Sequence, residues 1–283
     1  MDVELRGLRC LVAIVDAGTF TDAAIELGCS QAAVSRTLAG LERALGARLL
    51  RRTSREVVLT ATGGEVLVRA RRVLAETDEL VRSARSGQVS LRIGYAWSAM
   101  GRHTVEFQRR WAATHPQVQA RLVRTNSATA GLAEGACDVA VVRTEPDSRR
   151  FSSVVVGLER RFLAMASDDA WSRRRFVRLA EVAERTVLID RRAGSTSPQL
   201  WPAGRRPQLA YVNDVDDWLT TVAAGEAVGI TAESTRSQYR RTGVVFRPVR
   251  DAPPIPVRVM WWRDEPPAHG PEVVDLLTEL YRA

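Results

Sequence analysis

Residues Gln31 to Arg55 carry side chains whose types and spacing suit contact with a nucleic acid. Gln31, Ala32, Ser35, Arg36 and Ala39 share one face of a helical repeat, opposite Val34, Leu38, Leu41 and Leu45. A helix facing only water more usually carries Glu and Lys there, whereas short or hydrogen-bonding side chains suit a helix pressed into a groove. Just beyond lies the basic run Arg51-Arg52-Thr53-Ser54-Arg55. From Arg36 to Arg55 six Arg stand against Glu42 alone, a net of +5, while Met1 to Ser35 carries −3. Cations focused in this way neutralise phosphates. The competing reading is a solvated helix face with surface arginines.

Local signals supply the elements that must hold this face. Leu5, Leu8, Leu11, Val12 and Val15 predict a helix over 4–17, stopped by Gly18. Thr21 is the expected N-cap of a second helix, with Asp22 in its first turn, Ala23, Ala24 and Leu27 inward, and Gly28 as its stop. Ser30 caps the third helix, and residues 55–60 alternate as the strand of a wing. The layout is a winged helix-turn-helix. A long helix over 62–85 follows, with Val66, Val73, Leu80 and Leu67, Leu74, Val81 at heptad spacing, which suggests dimerisation.

Beyond Val89 strands and helices alternate. Strands are expected at 90–95, 120–124, 139–143, 162–166, 186–190, 208–212, 228–231 and 257–262. Helices are expected at 104–114, 127–134, 179–183, 214–224 and 271–281. The fold class is α/β with a mostly parallel sheet, which binds ligands at the carboxyl ends of its strands.

Composition narrows the classes. The chain has 283 residues and a net charge of +8, and all 41 of its basic residues are Arg. No apolar run approaches the ~20 residues of a membrane span, and the N-terminus lacks a secretory pattern, so a cytoplasmic location is expected. Cys10, Cys29 and Cys137 form no CxxC pair, and His103, His115 and His269 lie far apart, so neither a metal ion nor a cofactor is expected. No nucleophile elbow, phosphate loop or HExxH is present, which points away from an enzyme.

Gly18-Thr19-Phe20-Thr21 with Ala23-Ala24, Ser30-Gln31 with Val34-Ser35, Leu41-Glu42, Leu45-Gly46 and Leu59-Thr60 with Gly63 together resemble the N-terminal block of LysR-type transcriptional regulators. Leu91-Arg92-Ile93-Gly94, Ala136-Cys137-Asp138-Val139-Ala140 and Val222 to Ile230 are similar to strands and a Gly-rich stretch of that family's effector domain. Leu11 and Leu50 stand where the family often has Phe, and Thr231-Ala232-Glu233-Ser234 where it usually has Pro. The resemblance implies a winged helix-turn-helix at 1–61, a linker and dimerisation helix at 62–88, and an effector domain at 89–283. That domain would resemble type II periplasmic binding proteins, with lobe 1 at about 89–160 and 264–283 and lobe 2 at about 161–263. Implied partners are double-stranded DNA, a small-molecule effector between the lobes and further copies of the chain, as homodimer and homotetramer. RNA polymerase is a further partner the resemblance allows; a membrane is not.

On this reading Thr21, Ser30, Gln31, Ala32, Ser35 and Arg36 meet the duplex, while Arg52 and Arg55 grip phosphate or a narrow minor groove. Arg can bridge guanine and Gln adenine, each discriminating by about 1–3 kcal/mol. Effector candidates are Trp97, Ser98 and Met100 after the first strand, Thr125 and Asn126 at a crossover, and Arg143 at a strand end. Ser195, Thr196 and Gly229 complete the set in the second lobe. Hydroxyls and a bidentate Arg suit a carboxylate, and the +6 left to residues 89–283 after +2 over 1–88 favours an anionic ligand. Against this, Ser98 could serve only as a cap, Thr125-Asn126 only as a hinge, and Trp97 only as core. Two rivals stay open: a regulator without an effector, and an α/β solute-binding or enzymatic protein.

Overall fold

Helix α1 (Leu5–Ala17) forms where Leu8, Leu11 and Ile14 recur at helical spacing, and it ends where Gly18 turns left-handed at φ 76°. The computed structural model describes residues 3–52, 57–86, 89–192 and 194–283. It divides into two units, residues 1–89 with 133–136, and the remainder of 90–283.

In the first unit, α2 (Phe20–Glu26) is capped by Thr19, whose hydroxyl accepts from Asp22 N at 3.0 Å and donates to Asp22 Oδ2 at 2.7 Å. Thr21 therefore lies inside the helix and is not its cap: a cap needs an extended backbone outside the first turn, which Thr19 has. Helix α3 (Gln31–Leu45) is capped by Ser30, which accepts from Ala33 N at 3.2 Å. Val34, Leu38 and Leu41 are buried as expected, but Leu45, in the last turn, stays 36% exposed. Strands β1 (Leu50–Arg52) and β2 (Val57–Leu59) pair antiparallel with Leu50 opposite Leu59.

Helix α4 (Ala61–Ser86) starts under Thr60, whose hydroxyl donates to the Arg48 carbonyl at 2.8 Å and accepts from Gly63 N at 2.9 Å. Gly63 has to be Gly, since a Cβ there would collide with the Leu49 carbonyl. The heptad stripe of α4 has two fates. Leu67 is buried in the core of α1 to α3, with Val66 and Leu74 packed on it. Val73, Leu80 and Val81 are 45%, 69% and 44% exposed.

The second unit runs β3 (Val89–Tyr95), α5 (Thr104–Thr114), β4 (Val118–Arg124), β5 (Val139–Val142) and β6 (Phe151–Glu159). It continues through β7 (Arg161–Ala166), α6 (Leu179–Val182), β8 (Thr186–Asp190), β9 (Gln208–Val212) and α7 (Val215–Ala223). Then come β10 (Gly229–Ala232), α8 (Glu233–Gln238), β11 (Val244–Pro248), β12 (Ile255–Trp262) and α9 (Gly270–Arg282). One lobe is the sheet β4-β3-β5-β12-β6 with α5 and α9. The other holds β10-β7-β11 and β8-β9.

Several expectations need correction. The sheets are mixed: β3–β5 and β8–β9 are parallel, but β12 is antiparallel to β5 and β6, and β7 to β10 and β11. Because β12 pairs with lobe 1 strands, the return to lobe 1 comes before Ile255 and not at residue 263. β6, β11 and α8 were not foreseen. Residues 127–134 form turns in place of a helix, with Ala130 at φ 51° and Gly131 at φ 94°.

The head depends on Glu42, whose Oε1 accepts from Leu49 N at 2.8 Å and Leu50 N at 3.3 Å where the chain leaves α3 for the wing. We expect Glu42→Ala to destabilise the protein by about 1–3 kcal/mol, and Glu42→Gln by clearly less because it keeps an acceptor. Thermal unfolding of the two variants checks this.

Candidate functional site

The first candidate surface is the outer side of α3. Val34, Leu38 and Leu41 anchor the helix, leaving Gln31, Ala32, Arg36 and Ala39 exposed, Ser35 half-buried and Thr21 exposed on α2. Ser30 is exposed, but its hydroxyl also serves as the cap. Among the described residues Arg36 makes no ion pair, so its guanidinium is available to a partner. Arg52 stands in β1; Arg55 lies outside the described residues.

The second is a cleft in the other unit, enclosing about 580 Å³ of space partly open to solvent. Trp97, Ser98 and Arg143 line it from lobe 1, and Asp190, Ser195 and Thr196 from lobe 2. Arg143 is fully engaged within the protein. Its Nε and Nη2 donate to Glu159 at 3.0 and 2.8 Å, and its Nη1 and Nη2 to the Ser98 and Ala99 carbonyls at 2.7 and 2.9 Å. Glu159 also accepts from Ser234 Oγ at 2.6 Å and Tyr281 Oη at 2.7 Å. Burial pushes the Glu159 carboxyl up, but the Arg143 charge and these hydrogen bonds outweigh it and hold the pKa at about 2. Burial and the Glu159 charge raise the Tyr281 phenol far above its usual range.

Residues 5–64 match the sequence profile of "Bacterial regulatory helix-turn-helix protein, lysR family", and residues 84–282 match "LysR substrate binding domain". The chain belongs to the LysR family. As a LysR-type protein it is a DNA-binding transcriptional regulator. It is 33% identical to a small neutral protease regulatory protein of Streptomyces coelicolor, over 99% of this chain and 92% of that one. It is also 33% identical to the HTH-type transcriptional regulator YnfL of Escherichia coli, over 69% of this chain and 68% of the relative. In fold it is similar to full-length CbnR complexed with its target DNA, with a TM-score of 0.70 and 23% identity, covering 99% of this chain and 100% of that one.

Measured against this LysR fold, the effector candidates divide. Trp97, Ser98, Arg143, Ser195 and Thr196 line the cleft; Met100, Thr125, Asn126 and Gly229 do not. Met100 is core, 1% exposed. Asn126 Nδ2 instead donates to the Asn213 carbonyl, and Thr125 N to the Tyr95 carbonyl. Gly229 faces the Trp218 ring, with which any Cβ would collide. Arg143 is corrected from ligand clamp to internal partner of Glu159. Sequence reasoning missed Ser127, Thr144, Asp190 and Thr235, which also line the cleft. Asp190 ends an expected strand, the position at which α/β sheets place ligand contacts, and that signal was available.

The depressed Glu159 pKa has a definite sign. Its stabilisation is fully present above the unfolded carboxyl value of about 4.3 and is lost as pH falls through about 2. Glu159→Gln should flatten the acid limb of a stability-against-pH curve between those values. Arg143→Ala, leaving the carboxylate buried and unpaired, should cost about 3–5 kcal/mol. Urea unfolding at stepped pH measures both.

Proposed function

We propose that this LysR-type regulator reads its operator with Gln31, Ser35 and Arg36 of α3, steadied by Thr21, Ser30, Ala32 and the wing arginines Arg52 and Arg55. We assign residues 1–61 to the DNA-binding head, 62–88 to the linker helix and 89–283 to the effector domain. Two copies join along the distal stripe of α4, and tetramers form through the effector domains. What supports dimerisation is the exposure of Val73, Leu80 and Val81 in a row that has no cover within its own unit.

The effector occupies the interlobe cleft and acts by binding one arrangement of the lobes better than another. The observation that carries this reading is a pair of unsatisfied atoms: Asp190 Oδ2 and Trp97 Nε1 are buried without hydrogen-bond partners, on residues lining opposite sides of the cleft. Such atoms call for a ligand offering both a donor and an acceptor. An anionic effector, expected from net charge, loses its carrier because Arg143 is neutralised by Glu159 and Asp190 adds a carboxylate. We therefore assign a small polar molecule with a hydrogen-bond donor. An effector-independent regulator is the second reading, favoured by Trp97 packing edge-on against Trp218 at 5.3 Å.

Footprinting at two salt concentrations on DNA upstream of its own gene should show protected, salt-sensitive paired half-sites. Arg36→Ala should relax discrimination at one base position by about 1–3 kcal/mol in competition shift assays, and unchanged specificity would exclude its base contact. Leu80→Glu should halve the mass seen in sedimentation while leaving the circular dichroism intact. Calorimetry with amine- and hydroxyl-bearing metabolites should show binding that Asp190→Asn weakens; flat titrations with normal DNA binding would favour the second reading.

A further inference from the structure

Three side chains distant in sequence meet at one end of the first lobe. His115 closes α5, His269 is the N-cap of α9, and Glu272 lies in the first turn of α9. One ligand atom from each lies within 4.8 Å of the others. The chain has only three His, and two of them converge here. Trp111 backs the cluster, stacked on the His115 ring at 4.2 Å and edge-on to His269 at 6.2 Å.

Thr114 Oγ1 lies within hydrogen-bond reach of the Arg110 carbonyl at 2.9 Å, the Trp111 carbonyl at 3.4 Å and His115 Nδ1 at 2.8 Å. When the hydroxyl proton goes to a carbonyl, the His115 ring donates to Thr114 Oγ1 from Nδ1. That leaves the Nε2 lone pair free, the state in which a metal-ligating imidazole is held by a neighbouring oxygen. His269 Nδ1 and Glu272 Oε2 are both buried without hydrogen-bond partners. His269 Nδ1 lies 3.4 Å from Glu272 Oε1, within ion-pair reach but not aligned as a hydrogen bond. Buried polar atoms are ordinarily paired, so two such atoms beside a free imidazole nitrogen mark a place built for something else.

We propose that His115, His269 and Glu272 form a site for a divalent transition-metal ion, Zn²⁺ or a neighbour in its series. Two imidazoles and a carboxylate are a borderline donor set that suits Zn²⁺, Ni²⁺ and Cu²⁺ over Mg²⁺ or Ca²⁺. Metal–ligand bonds of about 2.0–2.1 Å require the three donors to close in from their present spacing, which side-chain torsions allow at half-exposed positions. Three protein ligands leave a coordination position for water. The ion joins the end of α5 to the start of α9, the helix that carries Tyr281 to Glu159.

The test uses the full-length protein, stripped with EDTA and desalted, with ZnCl₂ titrated by calorimetry and thermal unfolding followed in parallel. One Zn²⁺ per chain and a raised Tm are expected. His115→Gln, His269→Gln and Glu272→Gln should each weaken binding at least tenfold, and Thr114→Val about tenfold by freeing the His115 tautomer. Should a His variant fold poorly, Glu272→Gln and Co²⁺ spectra of the unaltered protein still decide, the latter by lacking a thiolate-to-metal band. The site is overturned if Zn²⁺ gives no heat or if binding survives all three ligand substitutions. Loss on Cys29→Ser, whose thiol is exposed, would equally overturn it.

Discussion

The buried pair of Arg143 and Glu159 is the constraint on which the second unit depends. Neither charge is tolerable alone in that environment, and their attraction suffices because hydrogen bonds satisfy both carboxylate oxygens and all three guanidinium nitrogens. Those partners come from all sides: the Ser98 and Ala99 carbonyls, Ser234 at the start of α8, and Tyr281 near the end of α9. One ion pair thus fastens β5, β6, α9 and the loop after β3 to the first helix residues of the other lobe. The hydroxyl of Ser98, which donates to Ser234 at 2.8 Å, belongs to the same knot. The cleft wall is rigid here for that reason.

Elsewhere the lobes meet differently. Arg124 pairs with Asp214 at 3.1 Å across side chains that are 36% and 41% exposed. Ion pairs in water contribute about 0–1 kcal/mol, far less than a satisfied buried network. The two contacts between the lobes therefore differ in strength.

The head was legible in the sequence because its signals are local. Gly18 ends α1, Ser30 caps α3, and Val34, Leu38 and Leu41 repeat at helical period, each within a few residues of what it controls. The slips there were small: the cap fell on Thr19 and not Thr21, and Leu27 and Leu45 were exposed, not inward. In the effector domain the strands with alternating or buried apolar runs were legible, but the roles of polar residues were not. Arg143 looked like a ligand clamp because its partner lies 16 residues on, at the end of a strand, Phe151–Glu159, whose Ser-Ser-Val-Val-Val stretch gave no alternation. His115 and His269 looked unrelated because only the packing of α5 and α9 on one sheet joins them. Asp138 is a further case, a family-like motif residue that proves to hold Arg92 N at 2.8 Å.

The split stripe of α4 has a mechanical meaning. Leu67 is locked in the head's core, while Leu80, thirteen positions on, faces outward. At about 1.5 Å per residue the two lie roughly 20 Å apart on one continuous helix. A helix clamped at one end cannot spin at the other without carrying its load along. In a dimer joined along that stripe, as proposed above, twisting one α4 about the other would sweep both α3 helices through an arc, and the phase of the stripe would set which face of the duplex each head can reach. Inserting or deleting a residue between Leu74 and Leu80 would shift that phase by about 100°, in opposite senses. In such a pair the helix would be less a tether than a gauge for the distance between the two heads.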